Sequence, residues 1–254
     1  MPGKPNAPIL LITGTDTGVG KTTVACGLID QLVRSGLAVD VCKPVETGCK
    51  RDSSGRLAAE DGIRLLKASR TGSSLDQVVP YRFELPVAPT VAAAAAGAKI
   101  DLGLLITQLQ LRRSKCDLLV VEGAGGLLVP IAGQATFADL ALQLGAAVLV
   151  VVGSKLGAIN HAALTCSVLQ ARKIELLGYV LNECYPSADG QSDAVATNRG
   201  EIKRVLAEYH GVELAYVEHF SEKIDILESE LFVAHSVFTE LASTISARLG
   251  LRPV

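Results

Sequence analysis

A chain of 254 residues, 49% of them hydrophobic, carries enough apolar side chains for a large core, which excludes an intrinsically disordered protein. The net charge of −2, with Lys and Arg mixed among Asp and Glu, excludes a broad basic footprint for nucleic acid or an anionic membrane. Six cysteines without a C-x-x-C pair and four scattered histidines make no zinc pattern. Cys42, Cys116 and Cys166, set inside apolar runs, read as core residues in a reducing, cytoplasmic compartment. The lead from Met1 to Asn6 has no signal-peptide core, and the apolar runs are too short or too interrupted to span a membrane.

Short runs rich in Val, Leu and Ile at Pro8–Thr13, Ala38–Cys42, Asp117–Val121, Ala147–Val152 and Leu176–Leu181 predict strands buried on both faces of a parallel sheet. Between them, helical spacing covers Thr22–Ser35, Glu60–Ser69, Asp101–Lys115, Phe137–Leu144 and Ala158–Arg172, with Gly36 and Gly145 as stop signals. The alanine-rich Val91–Ala98 reads as a short helix, and the polar Tyr185–Asn198 as a mobile loop. Strand and helix in alternation predict the α/β class, a doubly wound, mainly parallel sheet with ligands at the carboxyl ends of its strands. No repeat or linker interrupts the chain, so residues 1–254 read as a single P-loop α/β domain.

The first predicted strand runs into Gly14-Thr15-Asp16-Thr17-Gly18-Val19-Gly20-Lys21-Thr22-Thr23 and directly into a helix. Glycines here let successive N–H groups turn toward phosphate oxygens at the positive helix end; Lys21 would reach the β- and γ-phosphates and Thr22 a Mg²⁺ ion. Thr15 stands where the usual spacing has the first glycine, so the loop is one residue longer than the common form. The pattern points to an ATP or GTP site.

Two more predicted strands end in charged residues. One leads into Lys43-Pro44-Val45-Glu46-Thr47-Gly48, the other into Glu122-Gly123-Ala124-Gly125-Gly126. A carboxylate beside a P-loop suits Mg²⁺, although Glu122 could also be a strand-end acid satisfied by local N–H groups. Lys43 could be a solvated edge lysine, and Asp61 an acid that complements a helix dipole. Phe137 and Asp139 read as structural. His161, in Ser154-Lys155-Leu156-Gly157-Ala158-Ile159-Asn160-His161, reads as a capping or core residue before a catalytic one.

Taken in order, G-T-D-T-G-V-G-K-T at 14–22, K-P-V-E-T-G at 43–48, V-E-G-A-G-G at 121–126, T-F-A-D at 136–139 and K-L-G-A-I-N-H at 155–161 resemble the dethiobiotin synthetase family, over roughly residues 9–182. The longer P-loop is part of that family's pattern. The resemblance implies a ligase that takes 7,8-diaminononanoate, CO₂ and MgATP and makes dethiobiotin, ADP and phosphate through a carbamate and a carbamic–phosphoric anhydride. It places Gly18, Val19, Gly20, Lys21, Thr22, Thr23, Glu122 and Asn182 at the nucleotide. Thr17, Lys43 and Thr47 fall at the diamine and carbamate, and Thr22, Asp61 and Glu122 at Mg²⁺. Lys21 and Lys43 are the implied catalytic cations, converging with Mg²⁺ to depress the amine's pKa. Gly157 and Asn160 would meet the substrate carboxylate of the other subunit, which implies a homodimer.

The chain departs from the family after its fifth strand. Val212–Glu218 has no proline where a Gly-x-Ile-Pro-like segment usually helps to hold the base, and the stretch 185–199 is long and polar. A partition-type switch ATPase that binds a protein or DNA partner is the rival reading; the near-neutral charge weighs against its DNA-binding form.

Overall fold

The computed structural model describes residues 6–184, 192–218 and 236–252. The chain opens with β1 (Ile9–Gly14), α1 (Lys21–Arg34), β2 (Val39–Cys42), β3 (Val45–Thr47), β4 (Lys50–Arg51), β5 (Leu57–Ala58) and α2 (Glu60–Ser69). Then come α3 (Leu75–Val78), β6 (Tyr81–Phe83), α4 (Pro89–Ala95), α5 (Leu102–Arg113) and β7 (Leu118–Gly126). The third stretch holds β8 (Pro130–Ala132), β9 (Ala135–Thr136), α6 (Phe137–Leu144), β10 (Ala147–Gly153), α7 (Ala158–Ala171) and β11 (Leu176–Asn182). The last described elements are α8 (Ser192–Ala207), β12 (Glu213–Val217) and α9 (Ser236–Leu249).

Six strands form one parallel sheet in the order β12-β11-β10-β1-β7-β2. Alternate residues of each strand feed opposite faces, as the two-residue period requires. Leu11, Leu119, Val121, Val150 and Leu181 pack with Leu105, Phe137, Cys166 and Ile202 on one side. Leu10, Ile12, Val120, Leu149 and Val151 pack with Leu28, Leu65 and Phe238 on the other. Helices cover both faces, which is why the strands read as continuous apolar runs. With β1 central, the turns that follow β1, β2 and β10 gather at one end of the sheet.

Two expectations change. The apolar run of β7 stops at Val121, but the strand continues through Gly126, pairing Ile12 with Glu122 and Gly14 with Gly126 across a register shift. Glu122 is thus inside a strand, beside the P-loop, and not at its end. The loop expected over Tyr185–Asn198 is helix from Ser192 onward; residues 185–191 lie outside the described residues. The short helix expected at Val91–Ala98 is α4, begun by Pro89 at its first turn, where a missing N–H costs nothing.

Candidate nucleotide and metal site

β1 delivers the chain to Gly14, where a Cβ would meet Val19 Cγ2 at 2.7 Å and Asp16 O at 2.9 Å, so only glycine allows the loop to close this tightly. Gly20 caps α1 with a left-handed φ of 86° and offers no side-chain cap. The first N–H groups of α1 therefore face the loop, the arrangement that binds anions. Lys21 is buried, its ammonium donates to the Asp16 carbonyl at 2.9 Å, and burial lowers its pKa. Asp16 itself accepts from Lys155 Nζ at 2.6 Å, and that hydrogen bond is the main cause of its lowered carboxyl pKa.

Glu122, 1% exposed, accepts on Oε1 from Thr22 Oγ1 at 2.8 Å and from Lys43 Nζ at 2.7 Å. Lys43 also donates to Asp61 Oδ2 at 2.5 Å. It is therefore not a solvated edge lysine but a buried cation shared by two carboxylates. Burial alone would depress its pKa, yet Glu122 and Asp61 drive it above the usual lysine range. Burial works to raise the Asp61 carboxyl, and the Lys43 ammonium outweighs it, so the net direction is down. Lys43 thus has its charge balanced in place by Glu122 and Asp61.

Thr17, Gly18, Gly20, Lys21, Thr22, Thr23, Lys43, Thr47, Asp61 and Glu122 line one cleft of about 290 Å³. Four expected site residues lie outside it. Val19 is buried beneath the loop, and its carbonyl accepts from Asn182 Nδ2 at 2.9 Å. Asn182, 5% exposed, thus braces the P-loop from below. Gly157 and Asn160 are exposed at the start of α7. Glu46 and Arg64 also line the cleft, and neither was singled out from the sequence. Burial pushes the Glu46 carboxyl up to about 7 against the pull of Lys43. Arg64 approaches Thr23 Oγ1 at 3.4 Å, and its i, i+3 spacing from Asp61 was the one sequence signal that could have found it. His161 lines a neighbouring groove of about 540 Å³ with Asp16, Leu127, Leu164 and Val168.

Glu122 Oε2 is buried without a hydrogen-bond partner. Such an orphaned oxygen, beside a second carboxylate and a threonine hydroxyl, is a donor set that fits a hard divalent cation. Among the described residues no group of three or more His, Cys, Asp or Glu converges as a metal-only site. A cation here would complete its shell with phosphate oxygens and water, as Mg²⁺ does with nucleotides.

A family model described as an AAA domain matches residues 9–220. An ATP-dependent dethiobiotin synthetase of Anaeromyxobacter sp. (strain Fw109-5) is 38% identical over 222 residues, 87% of this chain and 96% of its own. One from Pseudescherichia vulneris is 34% identical over 215 residues, 85% of this chain and 88% of its own. Among solved structures, the septum site-determining protein MinD complexed with Mg-ADP from Pyrococcus horikoshii OT3 superposes with TM-score 0.57 at 17% identity, over 94% of this chain and 96% of its own. The pNOB8 ParA bound to nonspecific DNA gives TM-score 0.57 at 14% identity, over 96% and 99%. At those identities the likeness is one of fold alone.

Proposed function

This chain belongs to the ATP-dependent dethiobiotin synthetase family, and on that footing we propose that it joins CO₂ to 7,8-diaminononanoate and closes the ureido ring of dethiobiotin in biotin synthesis, with ATP cleaved to ADP and phosphate. The observation that carries the reading is the meeting of Lys21, Thr22, Lys43, Asp61 and Glu122 in one cleft at the end of β1.

One amine adds to CO₂ as a carbamate, losing a proton to solvent. A carbamate oxygen takes the γ-phosphoryl group as ADP leaves, and the second amine then attacks the carbonyl carbon and expels phosphate, which carries off the amine's proton. The P-loop N–H groups and Lys21 hold the phosphates; Lys43 and Thr47 hold the carbamate end. Mg²⁺, held by Thr22, Asp61 and Glu122, would screen the phosphate charge during transfer. Ring closure is a matter of positioning, so it needs no strong general base, and His161 is left without a required role.

Gly157 and Asn160 stand apart from the chain's own cleft, and Leu156 between β10 and α7 is 79% exposed. That supports a homodimer in which this segment meets the partner's substrate carboxylate. The groove lined by Leu127, Leu164 and Val168 suits the aliphatic chain of the diamine. Six cysteines without a disulfide support a reducing, cytoplasmic setting. Every strand of the main sheet shares one pair of cores, which supports a single P-loop α/β domain.

The test is ADP release with MgATP and bicarbonate, with and without 7,8-diaminononanoate. Strong stimulation by the diamine with dethiobiotin in the product is expected. No stimulation from protein that still binds ATP would return the reading to a switch ATPase.

A further inference from the structure

α2 starts behind Ala59, whose methyl group cannot cap the free N–H groups of the first turn. The missing acceptor comes from another element. Glu46 in β3 accepts from Asp61 N at 3.1 Å on Oε1 and from Gly62 N at 2.9 Å on Oε2. Gly62 lets this turn of α2 pack on Val79, whose Cγ2 a Cβ there would meet at 2.0 Å; Glu46 Oε2 would lie at an ordinary 3.5 Å. Glu46 is only 7% exposed. A serine at position 59, itself a buried site, could cap α2 locally with a neutral hydroxyl and no buried carboxylate. What a local cap could not do is tie α2 to β3, the element that follows Lys43. The bridge from Glu46 therefore fixes where Asp61 stands relative to Lys43 and Glu122, all three lining one cleft.

We propose that Glu46 is a positioning residue for the divalent cation: by clamping the N-terminus of α2 with both carboxylate oxygens, it presents Asp61 to the metal shared with Thr22 and Glu122. The inference rests on the assignment of Asp61 and Glu122 as that cation's carboxylates. A residue that orients a ligand from behind commonly changes metal affinity by about 10- to 100-fold when removed. The effect should fall on the cation and spare the nucleotide.

The experiment is Mn²⁺ binding to the full chain in the presence of ADP, read by electron paramagnetic resonance, with metal-free ADP affinity measured alongside. Glu46→Ala is expected to weaken Mn²⁺ about tenfold or more, and Glu46→Gln, which keeps one acceptor oxygen, about threefold. Metal-free ADP affinity is expected to stay within about twofold in both. Glu122→Gln and Asp61→Asn test the underlying assignment: if both keep the parent's Mn²⁺ affinity, the metal site itself is misplaced. If they lose it while both Glu46 variants stay within about twofold of the parent, the positioning role alone is overturned. Leu65→Ala, a core change on the same helix, separates positioning from loosening; an equal loss of Mn²⁺ affinity there would also overturn it. Should Glu46→Ala not fold, Glu46→Gln decides by the same twofold boundary.

Discussion

Lys43 and Glu122 form a contact in which neither partner can be removed cheaply. Their side chains are 6% and 0% exposed, and Thr22 shares the same Oε1. Taking away the cation leaves a carboxylate in a dry site, which costs about 3–5 kcal/mol in comparable pairs, whereas removing both charges is far milder. Lys43→Met is expected to lower Tm sharply, and Lys43→Met combined with Glu122→Gln to recover most of the loss. A thermal double-mutant cycle measures this, and additive losses would mean that the pair is not coupled. Activity should not recover with stability. Both single variants are expected to lose about 10²–10³-fold in kcat for dethiobiotin formation, as loss of a preorganised electrostatic partner does. The sequence singled out these cations and acids, which the fold brings into one cleft, but it did not show their pairing.

At the scale of elements, α6 and α1 show how local and distant constraints differ. Thr136 and Asp139 form a capping box: Asp139 accepts from Thr136 N and Oγ1, both at 2.7 Å, and Thr136 Oγ1 accepts from Asp139 N. Asp139 also pairs with Arg172 of the segment after α7. The Thr136 N–H is the main cause that holds the Asp139 carboxyl down at about 2, from an ordinary 3.8. A depressed carboxyl pKa stabilises the fold above its unfolded value and stops doing so as pH falls through the folded one. Asp139→Asn is expected to cost about 1 kcal/mol at pH 7, an amount reduced by the side chain's partial exposure. The gap from the parent should shrink between about pH 4 and pH 2, in urea titrations at several pH values. In α1, Gly27 sits against α9, and a Cβ there would meet Phe238 Cδ1 at 2.6 Å. Alanine normally favours a helix over glycine by about 0.5–1 kcal/mol, but overpacking costs about 1–3 kcal/mol. Gly27→Ala is therefore expected to lower Tm by a few degrees, and Phe238→Leu in the same chain to relieve it. The sequence read Asp139 only as structural, although the box it forms spans just four residues. The Gly27 contact was not legible, because its partner is more than 200 positions away.

At the scale of the whole molecule, α7 packs one face on the core while Leu164 is 57% exposed, and Leu156 before it is 79% exposed. In the proposed dimer this surface completes the partner's diamine site. Leu156→Glu is expected to shift the mass in light scattering from twice the chain to that of one chain at micromolar concentration. It should raise KM for the diamine while leaving KM for ATP nearly unchanged. A variant that stays dimeric with both KM values intact would remove α7 from the interface. No helix among the described residues is long and apolar enough to cross a membrane.

The sequence by itself determined the P-loop motif, the parallel α/β class and the family, and it singled out lysines and acids that the fold gathers in one cleft. Those features are written in short spacings: buried strands as continuous apolar runs, a phosphate cradle as glycines between strand and helix, and helix ends as caps and glycines. Tertiary structure decided everything that depends on who meets whom. Thr22 reaches Glu122 across 100 positions and Lys43 reaches it across 79. Only folding turns Lys43 into a balanced cation, Asn182 into a brace for the P-loop, and Glu46 into the cap of a helix it does not belong to. The physical reason is that a charge or a hydrogen bond takes its strength from burial and from the partner set around it, and both are properties of the packed chain.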